Sequence, residues 1–217
     1  MKELKTICFQ TRGGVNHDYG GLDRVTELLA DFFVASGYQV YYLSQVKRPG
    51  THATRQIYLP NQIELTSPEN IAFYNTFLQE QEVDVLINQE GNVNIIIPLD
   101  KQLNKDLIYI TVLHFNPNYI TEFHFNHKVN KMNIPGLLKL GLNSIVNIPF
   151  IKYQLLSYLQ RKLERNYAIN CSNCDRFVLL SNNFKSDFGQ LFKTKKLPTN
   201  ISAINNPILI NNKPDIH

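Results

Sequence analysis

Thr6-Ile7-Cys8-Phe9 is a short apolar run, followed by a glycine-bearing loop that ends in Gly20-Gly21-Leu22-Asp23-Arg24. Leu22, Val25, Leu29, Phe32 and Phe33 then repeat at helical spacing, Gly37 stops the helix, and Gln39-Val40-Tyr41-Tyr42-Leu43 follows. These residues read as strand, glycine loop, helix, strand: a βαβ unit with its glycines at the helix start. A helix start offers unpaired N–H groups and the positive end of a dipole, which suits a phosphate. Glycine lets backbone approach that phosphate without a side chain between them. The same Gly-Gly also serves as a plain tight turn, and spacing alone leaves both readings open. Gly-x-Gly-x-x-Gly and the P-loop Lys-Ser/Thr are both absent.

The pattern repeats along the chain. Arg55–Leu59 reads as a strand, and Ser67-Pro68-Glu69 opens a helix running to about Gln81. Ser67 caps it, Pro68 fits its first turn, and Glu69 suits its dipole. Val83–Ile87 is a buried strand, followed by Asn88-Gln89-Glu90-Gly91 and a helix over 93–104. Leu107–Leu113 is the strongest strand and ends at His114; Arg176–Leu180 and Ile201–Ile204 are two more, with a helix over 183–192 between them. Apolar strands separated by helices predict an α/β, Rossmann-like, doubly wound and mainly parallel sheet. Ligands of such sheets sit at the carboxyl ends of the strands. That directs attention to residues 10–21, 44–54, 88–92, 114–118, 181–183 and 205–207.

Residues 115–150 break this rhythm. They are aromatic and rich in Asn, carry Pro117, Pro135 and Pro149, and read as an insertion leading into a helix over 151–168. That helix places Leu155, Leu156, Leu159 and Leu163 on one side.

At 217 residues and 43% hydrophobic, the chain can bury a core as one domain. No apolar run approaches the ~20 residues of a membrane span. Met1-Lys2-Glu3-Leu4 leads straight into the first strand, without a signal peptide. Three cysteines suit a reducing compartment. The net charge of +4 is uneven. Residues 1–127 carry 9 basic and 14 acidic side chains, a net of −5, whereas residues 128–165 carry 7 and 1, a net of +6. The basic stretch also holds Ile134, Leu137, Leu138, Leu140 and Leu142, a pattern suited to an anionic membrane surface or to a solvated face. No nucleic-acid recognition motif accompanies it.

His114, at a strand end, can hydrogen-bond a substrate hydroxyl or move a proton, or be a histidine satisfied by backbone. His114, His124 and His127 match no zinc spacing. Cys171-Ser172-Asn173-Cys174 is a lone CxxC that precedes a strand, so it is read as coincidence. No metal site is expected.

Three stretches together resemble the retaining glycosyltransferases of family four, of GT-B fold. Gly20-Gly21-Leu22-Asp23-Arg24-Val25, followed by Gly37-Tyr38-Gln39-Val40, is similar to their opening motif. Tyr109–His114 is similar to their central strand ending in histidine. Asp175–Ser181, with Phe184-Lys185 and Ile201–Ile208, resembles their last N-terminal motifs, except that Asn205-Asn206-Pro207 replaces the usual Pro-Asn-Gly. The resemblance implies an N-terminal, acceptor-side domain over residues 1–210, the start of an interdomain linker at 211–217, and a missing C-terminal donor domain.

It further implies transfer of a hexosyl group from a nucleotide diphosphate sugar to a glycan or lipid-linked acceptor, with retention, in surface polysaccharide or glycoconjugate synthesis. The nucleotide sugar is a substrate, and neither metal nor cofactor is required. Gly20 and Gly21 would approach the diphosphate, and His114 would contact the donor sugar near the reacting centre. Asn88, Gln89, Glu90 and Asn116 are polar groups at strand ends suited to acceptor hydroxyls; Asn92 belongs to the same loop. Arg24 would face the phosphates or pair with the acidic first turn. The protein is expected in the cytoplasm, with peripheral contact at the inner face of the membrane through 128–165. The competing expectation is a stand-alone Rossmann-like binding domain without catalysis. An oxidoreductase or methyltransferase is disfavoured, because Ser44-Gln45-Val46-Lys47 stands where an acidic ribose ligand belongs.

Overall fold

The computed structural model describes residues 5–49, 55–91, 106–117, 148–192 and 198–204. Seven strands run through them: β1 (Thr6–Gly13), β2 (Gln39–Val46), β3 (Gln56–Tyr58), β4 (Val85–Asn88), β5 (Ile108–Leu113), β6 (Arg176–Leu179) and β7 (Ile201–Ala203). They form one sheet in the order β3-β2-β1-β4-β5-β6-β7, with every pair parallel. Among the described residues four α-helices flank it: α1 (Gly21–Ala35), α2 (Pro68–Glu80), α3 (Pro149–Asn173) and α4 (Asn182–Leu191). The expected α/β, doubly wound, Rossmann-like architecture is the one observed. The expected helix over 93–104, the insertion between 118 and 147, His124, His127, the Asn205-Asn206-Pro207 turn and the 211–217 linker lie outside the described residues.

Strand alternation sends successive side chains to opposite faces. Ile7 and Phe9 of β1, Val40 and Tyr42 of β2, and Val85 and Ile87 of β4 form one cluster with Ala30 of α1. Cys8, Leu43, Leu86, Tyr109, Leu113, Phe177 and Leu179 point the other way. There they meet Tyr74, Phe77 and Leu78 of α2, Leu163 and Tyr167 of α3, and Phe188 and Leu191 of α4. The sheet is therefore covered on both faces, as its apolar strands require.

Local signals set the element ends. Ser67 Oγ accepts from Asn70 N at 3.2 Å, and Ser181 Oγ accepts from Asn183 N at 3.2 Å. Gly37 leaves α1 at φ 90°, a conformation that side-chain-bearing residues rarely adopt. Two aspartates fasten the amino ends of neighbouring strands. Asp84 Oδ2, just before β4, accepts Lys5 N at 2.7 Å and Thr6 N at 3.0 Å. Asp175 Oδ2, just before β6, accepts Tyr109 N at 2.8 Å.

The structure moves the ends of the first two strands and both ends of the long helix. β1 and β2 extend to Gly13 and Val46, so residues expected in the first two strand-end loops continue the strands. The extension is supported by parallel pairing through Gly13↔Val46. α3 begins at Pro149 and runs on to Asn173, taking in Cys171. Of its leucines only Leu163 is buried, and Leu155 is exposed. The helix reaches the core only in its second half, through Leu163, Asn166, Tyr167, Asn170 and Cys171. No helix among the described residues is long and apolar enough to cross a membrane.

Candidate functional site

The carboxyl ends of β1, β4 and β5 lie side by side at the middle of the sheet. β1 passes into the glycine loop. Gly20 caps α1 at φ 154° with no side-chain bond to the helix start. No other atom lies within 4 Å of where a Cβ would sit on Gly20 or Gly21, so internal packing does not exclude a side chain at either. The α1 start is open, in a geometry an anion can approach.

The loop itself is tied down. Gln56 of β3 accepts Val15 N at 3.0 Å and donates to Ser44 Oγ at 3.0 Å. Thr11 Oγ1 and Ser44 Oγ are 2.6 Å apart. Asp23, in the first turn of α1, is buried and receives both of its oxygens' contacts with Arg48 at 3.3 Å. The Arg48 guanidinium also lies over the Tyr19 ring, 5.3 Å from its centroid. Arg24 Nε donates to the His17 carbonyl at 3.2 Å, and Arg48 is the cation that pairs with Asp23 in the acidic first turn.

β4 ends in a sharp turn that splits the polar residues between the two faces. Asn88 Oδ1 accepts Glu90 N at 2.9 Å. Gly91 N donates to Val112 O at 3.1 Å, and a Cβ on Gly91 would come within 2.8 Å of that carbonyl. Asn170 of α3 donates to Gly91 O at 2.7 Å. Asn88 continues the alternation of Leu86 and so faces α2 and α3; Gln89 does not. Gln89 is buried and its Oε1 lies 2.5 Å from His114 Nε2. Burial lowers the His114 pKa to about 4, so the imidazole is neutral and acts as a hydrogen-bonding group at neutral pH.

Asn88 and Glu90 open instead onto a cleft of about 360 Å3, shared with Gln10, Arg12, Gln45 and Thr66. Burial raises the Glu90 pKa, and its carboxylate accepts Arg12 N at 3.2 Å. Asn116 stands apart, donating to Asp187 of α4 at 2.8 Å. The four polar residues expected to act together therefore divide three ways: Asn88 with Glu90, Gln89 with His114, Asn116 with Asp187. Among the described residues no cluster of three metal-ligating side chains forms. Cys171 and Cys174 are buried free thiols, and burial raises both pKa values, Cys174 to about 11, which suits packing and not redox chemistry.

No known family model matches the chain, and no curated protein matches it in sequence. Among solved structures it is similar to the apo form of the lipopolysaccharide outer core galactosyltransferase WaaB, with a TM-score of 0.55 and 12% identity over 94% of this chain and 46% of that one. It is similar to sucrose-phosphate synthase from Thermosynechococcus elongatus, with a TM-score of 0.54 and 11% identity over 93% and 48%. WaaG, a glycosyltransferase involved in lipopolysaccharide biosynthesis, matches at a TM-score of 0.45 and 15% identity over 91% and 44%. The fold is similar to that of one half of these GT-B structures. The chain spans about half the length of the solved structures it matches.

Three residues that shape this end of the sheet carry no motif. Arg48 and Gln56 hold the glycine loop. Asn70, fully buried at the start of α2, accepts Asn61 N at 2.8 Å and donates to the carbonyls of Asn61, Glu64 and Leu65. It thereby sets the 61–66 wall of the cleft. A polar residue in the first turn of α2, where the helix begins to be buried, is the signal the sequence offers for it.

Proposed function

We propose that this chain is the acceptor-side half of a glycosyltransferase that moves a hexosyl group from a nucleotide diphosphate sugar to a glycan or lipid-linked acceptor with retention. One observation carries the reading. In a GT-B half-fold, one end of the sheet gathers an uncapped glycine helix start, a neutral histidine and a polar cleft. Gly20 and Gly21 serve the diphosphate, whose charge the helix start favours. His114, oriented by Gln89, serves the donor sugar as a hydrogen-bonding group. Asn88 and Glu90 serve the acceptor; Gln89 and Asn116 are retained in that role only through the residues they hold. The donor is a substrate, and the reading requires neither metal nor cofactor. The reaction belongs to surface polysaccharide or glycoconjugate synthesis in the cytoplasm.

The test is release of nucleoside diphosphate from a panel of nucleotide sugars. It is run with the 217-residue chain and with the product of its complete reading frame, each alongside His114→Ala. Turnover with one donor, lost by at least about a hundredfold in His114→Ala, supports the reading. Saturable donor binding by neither protein overturns it.

Peripheral membrane contact through 128–165 belongs to the same proposal. In its described part, α3 exposes Phe150, Tyr153 and Tyr158 beside Lys152, Arg161 and Lys162. Such a face suits anionic lipid. Co-sedimentation with phosphatidylglycerol vesicles, abolished by Phe150→Ser with Tyr153→Ser, is expected. Equal binding to neutral vesicles would overturn it.

A further inference from the structure

Gln89 and His114 follow the ends of two neighbouring strands. β4 and β5 pair in parallel through Asn88↔Thr111, and Val112 packs on the α1 face of the sheet. Alternation carried one residue past each strand puts Gln89 and His114 on that same face. The backbone around Gln89 is tied at three successive residues. Gln89 N donates to Gln10 O at 2.9 Å, Glu90 N to Asn88 Oδ1 at 2.9 Å, and Gly91 N to Val112 O at 3.1 Å. The glutamine side chain therefore leaves a fixed point.

Gln89 is 2% exposed, its Nε2 is sealed from solvent without a partner, and its Oε1 lies 2.5 Å from His114 Nε2. Burying an amide with its donor unpaired costs free energy. An apolar side chain of the same length would fill the space without that cost, and a sealed Nε2 reaches no ligand. Contact between Oε1 and the imidazole is what the glutamine supplies here and an apolar residue would not.

An amide oxygen only accepts, so the ring nitrogen facing it carries the proton. Burial keeps the imidazole neutral, so Nδ1 holds a lone pair. Among the described residues His114 makes no other hydrogen bond, and its Nδ1 is neither paired nor sealed from solvent. The nitrogen left for a ligand is thus an acceptor. Without Gln89 the ring would be free to turn over or exchange tautomers, and would offer an N–H as readily as a lone pair.

We infer that Gln89 is a positioning residue that locks His114 in its Nε2–H tautomer, so that His114 meets a ligand only as the acceptor of a hydroxyl hydrogen, through Nδ1. The lock follows from contacts within this chain; that the ligand is a donor sugar rests on the transferase reading. Locked in this way, His114 gives no proton to a leaving group at neutral pH.

The experiment is nitrogen and proton NMR of the imidazole in the isotope-labelled 217-residue chain at neutral pH. Nε2 is expected to resonate as a protonated ring nitrogen and Nδ1 as a bare one. The Nε2 proton, buried and hydrogen-bonded, is expected to exchange slowly enough to give its own signal. Gln89→Met fills the space without an acceptor; it is expected to abolish that signal and to draw the two nitrogen shifts together through tautomer exchange. Gln89→Glu keeps the acceptor and adds a negative charge; it is expected to keep the signal and to make His114 titrate at least about one pH unit higher. Backbone amide spectra unchanged away from residues 89 and 114 show that each variant folds. If Gln89→Met does not fold, Gln89→Glu decides. A proton on Nδ1 in the wild-type chain overturns the inference, and so does a His114 titration indifferent to Gln89→Glu.

Uridine diphosphate glucose and guanosine diphosphate mannose, titrated into the same sample, separate the lock from the transferase reading. Donor shifts at Gly20 and Gly21 in a chain with Nδ1 protonated sink the lock alone. A locked tautomer in a chain that binds neither donor, with the same result for the product of the complete reading frame, sinks the transferase reading and leaves the lock standing.

Discussion

The guanidinium of Arg48 occupies the space a side chain on Gly13 would need. A Cβ on Gly13 would lie 2.0 Å from Arg48 Nε and 2.3 Å from Cζ. Gly13 closes β1 and Arg48 follows β2, and the same guanidinium pairs with Asp23 at the start of α1. One cation therefore links the ends of two strands to the first turn of the helix behind the glycine loop.

Gly13→Ala is expected to displace Arg48 and lower stability by about 1–3 kcal/mol, since overpacking forces the side chain away from Asp23. In an Arg48→Ala background the same substitution should cost close to nothing. Urea denaturation of the two single variants and the double variant measures this coupling. Equal costs of Gly13→Ala with and without Arg48 would show that the contact carries no energy.

Burial holds His114 neutral down to a pKa of about 4, against 6.5 in the open chain. Between these values the unfolded state takes up a proton that the folded state refuses, so stability falls as pH drops through the window. The loss is complete below about pH 4 and amounts to about 3 kcal/mol for a shift of this size. His114→Gln should remove this component of the acid slope, read from denaturation midpoints at pH 7, 5.5 and 4. A slope indifferent to the substitution would contradict the assignment.

Glu90 moves the other way. Its raised pKa means that the folded state prefers the protonated carboxyl, so ionisation costs stability as pH rises above the ordinary carboxylate value of 4.5. Glu90→Gln should therefore raise the melting temperature at pH 7 and make no difference well below pH 4.5. A variant destabilised at pH 7 would mean that Arg12 and Arg48 outweigh the burial.

Asn70→Ala removes the four hydrogen bonds that hold the 61–66 segment. A loss of about 2–3 kcal/mol is expected, because four part-buried hydrogen bonds are lost together. Hydrogen exchange at Asn61, Ile63 and Glu64 should accelerate more than exchange in β1 or β4. Uniform acceleration across the sheet would assign Asn70 a purely global role.

The architecture was legible because its signals are local. Val83–Ile87 and Leu107–Leu113 are apolar on both faces only because helices cover both faces, and Ser67-Pro68-Glu69 carries its own cap. Gly20 and Gly37 each mark the α1 boundary that they form. The long α3 was harder to bound. Its amino half lies against no described core, so its apolar residues report no sheet contact and Leu155 is exposed.

The candidate site was legible as a place and not as an arrangement. His114 and the 88–91 loop were found because strand ends in a parallel sheet gather at one edge whatever the details. How their side chains divide depends on alternation carried past the end of β4, and on Gly91 being pinned between Val112 and Asn170. Those contacts join residues 21 and 79 positions apart, and no local pattern encodes them.

The sequence by itself determined the order and type of the elements, the parallel sheet and the glycine helix start, because periodicity and capping act within one or two turns of chain. Only the tertiary structure decided that Gln89 meets His114, that Asn88 and Glu90 share a cleft, and that Arg48 fills the space over Gly13. Each of these follows from which strands become neighbours and which face each side chain takes, and that is settled by burying the two faces of the sheet together.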